Sequence, residues 1–465
     1  MMTSRSKLTA DSYVWFPFGH LDREEAALHQ KRLTCFPKSF NDEEVQPVKG
    51  YVYDAENERV GFPIAYVDEH MPNEQYSTNY NAGEQITITE RPAAREDAQR
   101  RVWAALSEYM SAHTTALLQA PTGFGKTVTA CDVIAERQSA TVVIVTTTQL
   151  AIQWRDEIKT HLDIDAAIVA SKTKSEGDPM TAPVVIILVH QLCMKREKSQ
   201  EFYDRFGLAV WDECHRLGAR EFSQSLQKFS AINRLALSAT PRRKDGCENM
   251  FLQYFGQPAV VATVQTMPCN IYTLKFTLPQ KTTYRYYKTG YNMATLLSSL
   301  SVCEERNEMI ADNITRAYHK DRNVLALSDR IDQLGIMKRI LIDNGVDEDD
   351  IGIIAGDEHD PVNNTRRKIT QKEIDHTKKN AQIVLATYGM AKEGLDIPRL
   401  DMGIDMTPRA DGEQALGRIR RSVAGKKCPI WLTVLDQNVK ILNKYFHARM
   451  RDYKRADATL KNYGR

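Results

Sequence analysis

Ala120-Pro121-Thr122-Gly123-Phe124-Gly125-Lys126-Thr127 stands between the apolar run Ala116-Leu117-Leu118 and a helical pattern from Val128 to Arg137. A strand passing through a glycine-bearing loop into a helix is the setting of a phosphate-binding loop. Gly123 and Gly125 let backbone N–H groups approach a β-phosphate with no Cβ in the way. Lys126 is placed to reach the β- and γ-phosphates, and the Thr127 hydroxyl to hold Mg2+. Ala120 replaces the first glycine of the usual pattern. A plain glycine-rich turn is the alternative, but Gly-Lys-Thr at a helix start points to a bound nucleoside triphosphate.

The 465 residues, 42% of them hydrophobic, suffice for two or three separate cores. A net charge of +2 does not by itself announce a nucleic-acid partner. The charge is uneven, however. Residues 41–100 hold 13 Asp/Glu against 5 Lys/Arg, whereas residues 440–465 hold 8 Lys/Arg against 2 Asp/Glu. The acidic stretch argues against an N-terminal electrostatic clamp on a polyanion. The eight cysteines show no CxxC spacing, so neither a zinc site nor a disulfide framework is expected, and a reducing compartment is. The longest aliphatic run, Val184 to Val189, is too short to span a bilayer, and the N-terminus lacks the apolar core of a signal peptide. These features predict an intracellular protein with no membrane partner.

Short β-like segments, Val48 to Tyr53 and Val60 to Val67, punctuate residues 1–90, which are expected to form a small β-rich N-terminal domain. From 91 to 262, apolar strands (Thr141 to Val145, Val184 to Val189, Leu208 to Trp211, Leu235 to Ser238) alternate with helical patterns. The alternation returns over 263–440 with Asn323 to Leu327, Ile351 to Ile354, Gln382 to Ala386, Met402 to Asp405 and Ile430 to Leu435. Strands buried on both faces and joined by helices predict an α/β fold with two parallel-sheet lobes in tandem. Residues 441–465 read as a basic C-terminal helix and tail.

Leu208-Ala209-Val210-Trp211-Asp212-Glu213-Cys214-His215 is an apolar strand ending in two acids, the Walker B arrangement. Asp212 is suited to coordinate Mg2+ and Glu213 to polarise an attacking water. Ser238-Ala239-Thr240-Pro241 follows a later strand, and Gln414-Ala415-Leu416-Gly417-Arg418-Ile419-Arg420-Arg421 lies in the far lobe.

Over residues 90–425 these motifs resemble those of superfamily 2 helicases, in the family's order. The resemblance implies two RecA-like lobes, ATP and Mg2+ as cofactors, and ATP hydrolysis coupled to movement along nucleic acid. Asp212-Glu213-Cys214-His215 takes the place of the DEAD or DEAH box. Ser238, Thr240, His215 and Gln414 then couple hydrolysis to motion. Ala386-Thr387 with Gly394 and Asp396 resembles the fifth motif, and Gln414 to Arg421 the sixth. The second lobe is expected to supply Arg418 and Arg421 to the nucleotide held by the first, where such a cation accelerates phosphoryl transfer by ~10³–10⁵. Arg95 and Gln99 lie near the family's adenine motif, so Gln99 reads either as an adenine ligand or as a helix-surface glutamine.

Leu237-Ser238-Ala239-Thr240-Pro241-Arg242-Arg243-Lys244-Asp245-Gly246, and Thr146 to Leu150 with Gln153-Trp154, are similar to the XPB/UvsW-like DNA motors. Cys35-Phe36-Pro37 and Gly61-Phe62-Pro63 echo the small domain of viral and phage members. That branch implies a motor acting on forks and junctions, binding single-stranded and branched DNA as a monomer; the alternative is a nucleic-acid-stimulated ATPase acting as a double-strand translocase, a transcript-release factor or an RNA helicase without branch specificity. The expected setting is the cytoplasm of a bacterial or phage-infected cell, or the nucleus or factory of a eukaryotic virus. Phosphate contacts are expected from Thr146, Thr147, Gln149, His190 and Gln191 in the first lobe. The second contributes Ser328, Arg330, Thr387 and Tyr388. Thr282 to Tyr291 reads either as a base-stacking element or as a partly buried helix. Near the C-terminus Ile441, Leu442, Tyr445 and Phe446 form an apolar stripe. Lys444, Arg449, Arg451, Lys454 and Arg455 form a face that either touches duplex phosphates or is merely solvated.

Overall fold

The computed structural model describes residues 8–461 except 38–45, 122, 172–174, 194–197, 216–222, 240, 242–245, 264–265, 280–285, 288–289, 361–362, 364, 393–394 and 396. The chain divides into two compact units, Met1–Val264 and Gln265–Arg465.

The first unit opens with a five-stranded mixed sheet. Its strands are β1 (Leu8–Ala10), β2 (Val14–Pro17), β3 (Val52–Asp54), β4 (Arg59–Phe62) and β5 (Tyr76–Thr78), in the order β3-β4-β2-β1-β5. Leu8, Val14, Phe16, Val60 and Phe62 pack as its core. The expected β-like run Val60 to Val67 ends at Phe62. Pro63 takes φ −58° and ψ 140°, and helix α1 (Ile64–His70) follows, burying Ile64, Tyr66 and Val67. Apolar residues clustered this closely fit either period, and the proline decides. The sheet is tied to the lobe behind it by buried Arg234, whose guanidinium donates to the Asp11 carbonyl and sits 5.0 Å from the Tyr80 ring centroid.

Helix α2 (Asp97–Ala112) leads into a seven-stranded sheet of β6 (Thr115–Gln119), β7 (Thr141–Val145), β8 (Ala167–Val169), β9 (Val184–Leu188), β10 (Leu208–Trp211), β11 (Asn233–Ser238) and β12 (Val260–Val261). All neighbours pair parallel, in the order β8-β9-β7-β10-β11-β6-β12. Alternate strand residues serve opposite cores: Val143, Ile186 and Val210 pack in one cluster, Val142, Val185 and Ala209 in the other. Burial on both faces is why these strands read as unbroken apolar runs. The helices between them include α3 (Lys126–Arg137), α4 (Thr148–Leu162) and α5 (Val189–Leu192).

The second unit repeats the plan. Its parallel sheet holds β13 (Asn270–Phe276), β14 (Val324–Ser328), β15 (Ile351–Ile354), β16 (Ile383–Thr387), β17 (Met402–Asp405), β18 (Ile430–Asp436) and β19 (Thr459–Lys461), in the order β15-β16-β14-β17-β18-β13-β19. Helices α6 (Glu304–Tyr318), α7 (Ile331–Asp343), α8 (Gln371–Asn380), α9 (Glu413–Ile419) and α10 (Lys440–Arg455) surround it. Two RecA-like lobes in tandem with a small N-terminal sheet are thus present. Arg449, expected on the solvated basic face of α10, is instead fully buried with Leu442, Phe446 and Tyr453. It lies seven residues after Leu442 and three after Phe446, on the docked side of the helix. Among the described residues no helix is long and apolar enough to cross a membrane.

Candidate active site

The loop after β6 closes on itself through short contacts. Phe124 N–H donates to the Pro121 carbonyl at 3.2 Å, and Ala120 N–H to the Ser238 carbonyl of β11 at 2.9 Å. Gly123 and Gly125 have φ of +90° and +95°, a region in which side-chain-bearing residues are strained. Ala120 is outside that region, so its methyl group is tolerated where the usual pattern has glycine. A Cβ on Gly125 would sit 2.7 Å from Gln99 Nε2. The loop is therefore a cradle in which only backbone fits, at the start of α3, where the helix dipole favours an anion.

Gln99 lines the back of this cradle rather than a helix surface. It is buried, accepting from Arg95 N–H at 2.8 Å and donating through Nε2 to the Phe124 carbonyl at 3.3 Å. Its amide thus ties the segment before α2, through Arg95, to the loop, through Phe124.

Lys126 folds over the loop, with Nζ 3.4 Å from the Ala120 carbonyl and 3.7 Å from Glu213 Oε1. Asp212 immediately follows β10 and is buried. Its Oδ2 accepts from Trp154 Nε1 at 2.8 Å and its Oδ1 from Glu213 N–H at 2.8 Å. Burial, and then the neighbouring Glu213 carboxylate, push the Asp212 pKa up to about 6, against the opposing pull of Lys126 and the Trp154 hydrogen bond. Such a carboxylate favours a nearby cation. Together with the Thr127 hydroxyl at the second position of α3, its chemistry fits Mg2+ held by oxygen donors.

Glu213 adopts φ +50°, a left-handed conformation rare for a side-chain-bearing residue. Its carboxylate lies between Lys126 and His215, whose Nδ1 is 3.2 Å from Glu213 Oε2 and 3.3 Å from Ser238 Oγ. Lys126, Asp212, Glu213, His215 and Ser238 thus form one connected cluster at the C-terminal edge of the sheet, where α/β proteins hold ligands.

The residues expected to contact a strand lie at the C-terminal edges of the two sheets. Thr146 and Thr147 follow β7, where Thr147 Oγ1 caps α4 by accepting from Leu150 N–H at 3.3 Å. Gln149 is half-buried nearby. His190 is exposed and Gln191 half-buried in the single turn after β9. In the second unit, Thr387 ends β16 and remains half-buried. Arg330 donates to the Ala294 carbonyl at 2.7 Å. Two candidates are committed to the interior: Ser328 bonds Gln333, and Tyr388 donates to Asp405 at 2.6 Å. Neither is available to a strand in this conformation. Arg418 is buried, donating to the Leu395 carbonyl at 2.9 Å, and Arg421 is half-buried just past α9. Thr122, Thr240, Arg242 to Asp245, Gly394 and Asp396, the Gln414 side chain and most of Thr282 to Tyr291 lie outside the described residues.

Sequence patterns missed two partners. Trp154 appeared only as part of a family segment, yet its indole fixes Asp212. Asp405 was read as a strand end, yet it anchors a buried polar knot in the second lobe.

Residues 91–243 match the family described as "Type III restriction enzyme, res subunit". A protein of Acanthamoeba polyphaga mimivirus named "Putative ATP-dependent RNA helicase" is 25% identical over 350 residues, 73% of this chain and 64% of that protein. The match therefore spans less than two thirds of that relative. The "DNA 3'-5' translocase XPB2" of Sulfurisphaera tokodaii is 31% identical over 131 residues, 28% of either chain. Among solved structures, "S. cerevisiae Dbp5 bound to RNA and ADP BeF3" shares the fold at 12% identity and TM-score 0.53, over 87% of this chain and 94% of that one. In motifs and sequence relatives the chain is similar to superfamily 2 helicases, with its likeness lying towards XPB-related and viral members.

Proposed function

We propose that this chain is an ATP-dependent DNA helicase or translocase that remodels forks and junctions during replication, recombination or repair in an infected cell. The observation that carries this reading is the connected cluster Lys126–Glu213–His215–Ser238, with Asp212 beside it. It joins a phosphate cradle to a general-base carboxylate and then to the motif that follows β11.

ATP settles with its phosphates in the 120–127 loop, and Lys126 leaves Glu213 for the γ-phosphate. Freed from that cation, Glu213 orients the attacking water. Thr127 and Asp212 would hold Mg2+, which would supply positive charge to the phosphates. His215 and Ser238 report the state of Glu213 to β11 and the segment after it. Arg418 and Arg421 supply cations from the second lobe, so hydrolysis requires the lobes to close, and the cycle of closing and opening walks the strand contacts along. Arg418 must exchange its bond to the Leu395 carbonyl for the phosphate on closure.

DNA is favoured by the Ser238 to Gly246 segment and by the archaeal relative's name. A second reading, an RNA helicase, is favoured by the name of the mimivirus relative. Strand displacement on matched forked substrates in DNA and RNA separates them. Faster ATP-dependent displacement of the DNA fork supports the first reading, and displacement of RNA alone overturns it.

A further inference from the structure

Helix α10 is docked on the second lobe along one side. Leu442, Phe446, Arg449 and Tyr453 are buried on one side. Arg449 donates to the Arg409 carbonyl at 2.7 Å and pairs with Asp405 at 3.3 Å, and Tyr453 donates to Asp405 at 3.1 Å. The opposite side carries Lys440, Lys444, His447, Arg451 and Lys454, all exposed. Their spacing of four, three, four and three residues places them in a single row. The row is about 21 Å long, with a cationic or imidazole group about every 5 Å.

Among the described residues, Lys440, Lys444, Arg451 and Lys454 have no ion pair. The helix's one carboxylate, Asp452, is taken by Arg455. Four uncompensated cations on a rigid rod repel one another and gain nothing for the fold. The helix also begins four residues after β18, at the C-terminal edge of the sheet where Thr387 and Arg330 lie, and runs back along the flank.

We infer that the exposed row of α10 binds the phosphate backbone of the duplex arm of the substrate. The inference rests on the motor reading above and adds to it a second, duplex-specific contact. Charge complementarity selects the occupant: a duplex presents one negative charge per about 1.7 Å of its axis, as a stiff array matched to a stiff row. The contact is to backbone, so it is indifferent to sequence.

The test is the full-length triple variant Lys444→Glu/Arg451→Glu/Lys454→Glu, with Lys368→Glu/Lys372→Glu/Lys379→Glu, all exposed in or just before α8, as a charge-matched control. Binding of a blunt DNA duplex of two helical turns is measured against salt concentration, alongside ATPase stimulated by a short single strand. Loss of three phosphate contacts flattens the slope of log K against log salt by about 2.7. Single-strand-stimulated ATPase stays within twofold of wild type, and the control keeps the wild-type slope. An unchanged slope in the triple variant overturns the inference, as does equal flattening in the control. If the glutamate variant melts early, Lys444→Gln/Arg451→Gln/Lys454→Gln reads the same slope. Absence of any strand-stimulated ATPase counts against the motor reading instead, and leaves the duplex slope to judge the row.

Discussion

Asp212 and Asp405 occupy equivalent places in the two lobes. Each stands at the C-terminal end of the fourth strand of a seven-stranded parallel sheet, β10 and β17, and each accepts a hydrogen bond from a buried tryptophan. What surrounds them differs. Asp405 is closed in by Trp431 Nε1, Tyr388 Oη, Tyr453 Oη and the Arg449 guanidinium. Gly403 makes room for this knot, since a Cβ there would stand 2.1 Å from the Trp431 ring. Asp212 has Trp154 and one backbone N–H, and Lys126, which acts on it electrostatically, is turned towards Glu213. One carboxylate is saturated by the protein and holds a lobe together. The other, among the described residues, has Lys126 turned away towards Glu213, and its chemistry fits a metal ion. Under the function proposed above, the same chemical group serves a structural use in one lobe and a catalytic use in the other.

Breaking the catalytic side has the largest expected effect. Glu213→Gln lowers the rate of phosphate release by ~10²–10⁴ while nucleotide still binds, as measured by steady-state turnover beside equilibrium titration. On the structural side, Arg449→Met leaves Asp405 buried without its cation. Removing one partner of a buried pair costs about 3–5 kcal/mol, so chemical denaturation shows early melting of the second lobe while the first still binds nucleotide. Intact nucleotide binding together with an unshifted melt contradicts the assignment of Asp405 to stability.

Trp154→Phe sharpens the comparison with a smaller effect. A hydrogen bond to a charged group is worth about 1.5–3 kcal/mol. The variant therefore needs a higher Mg2+ concentration for half-maximal ATPase, with its fold retained by circular dichroism. Acidity gives the subtlest test. The Asp212 pKa is raised from 3.8 to about 6, so in metal-free protein its contribution to stability is full below about pH 4 and lost as pH rises through 6. Asp212→Asn, which cannot ionise, is expected to be the more stable metal-free protein at pH 7.5, and the gap in melting temperature should close between pH 6 and pH 4.

Much of this arrangement was legible in the chain. Thr141 to Val145, Leu208 to Trp211, Ile351 to Ile354 and Met402 to Asp405 are strands at the expected bounds, because burial on both faces leaves little but apolar residues to read. The phosphate loop and the two acids were legible because phosphate chemistry restricts residue type at fixed spacing. Less local features were hidden. Trp154 and Asp212 are 58 residues apart and Arg449 and Asp405 are 44 apart, and no periodicity links such pairs. Arg449 shows the limit well. Its charge argued for the surface, while its phase with Leu442 and Phe446 placed it inside. Gln99 was equally ambiguous until the backbone of Gly125 and Phe124 was seen to close over it.

The most direct test of the central claim is steady-state phosphate release by wild type and Arg421→Ala, each with and without single-stranded DNA. The account predicts strong stimulation of the wild type by the strand and a stimulated rate lower by ~10³ in the variant, with nucleotide affinity retained. Equal wild-type rates with and without the strand, or a variant that hydrolyses as fast as wild type, would contradict it.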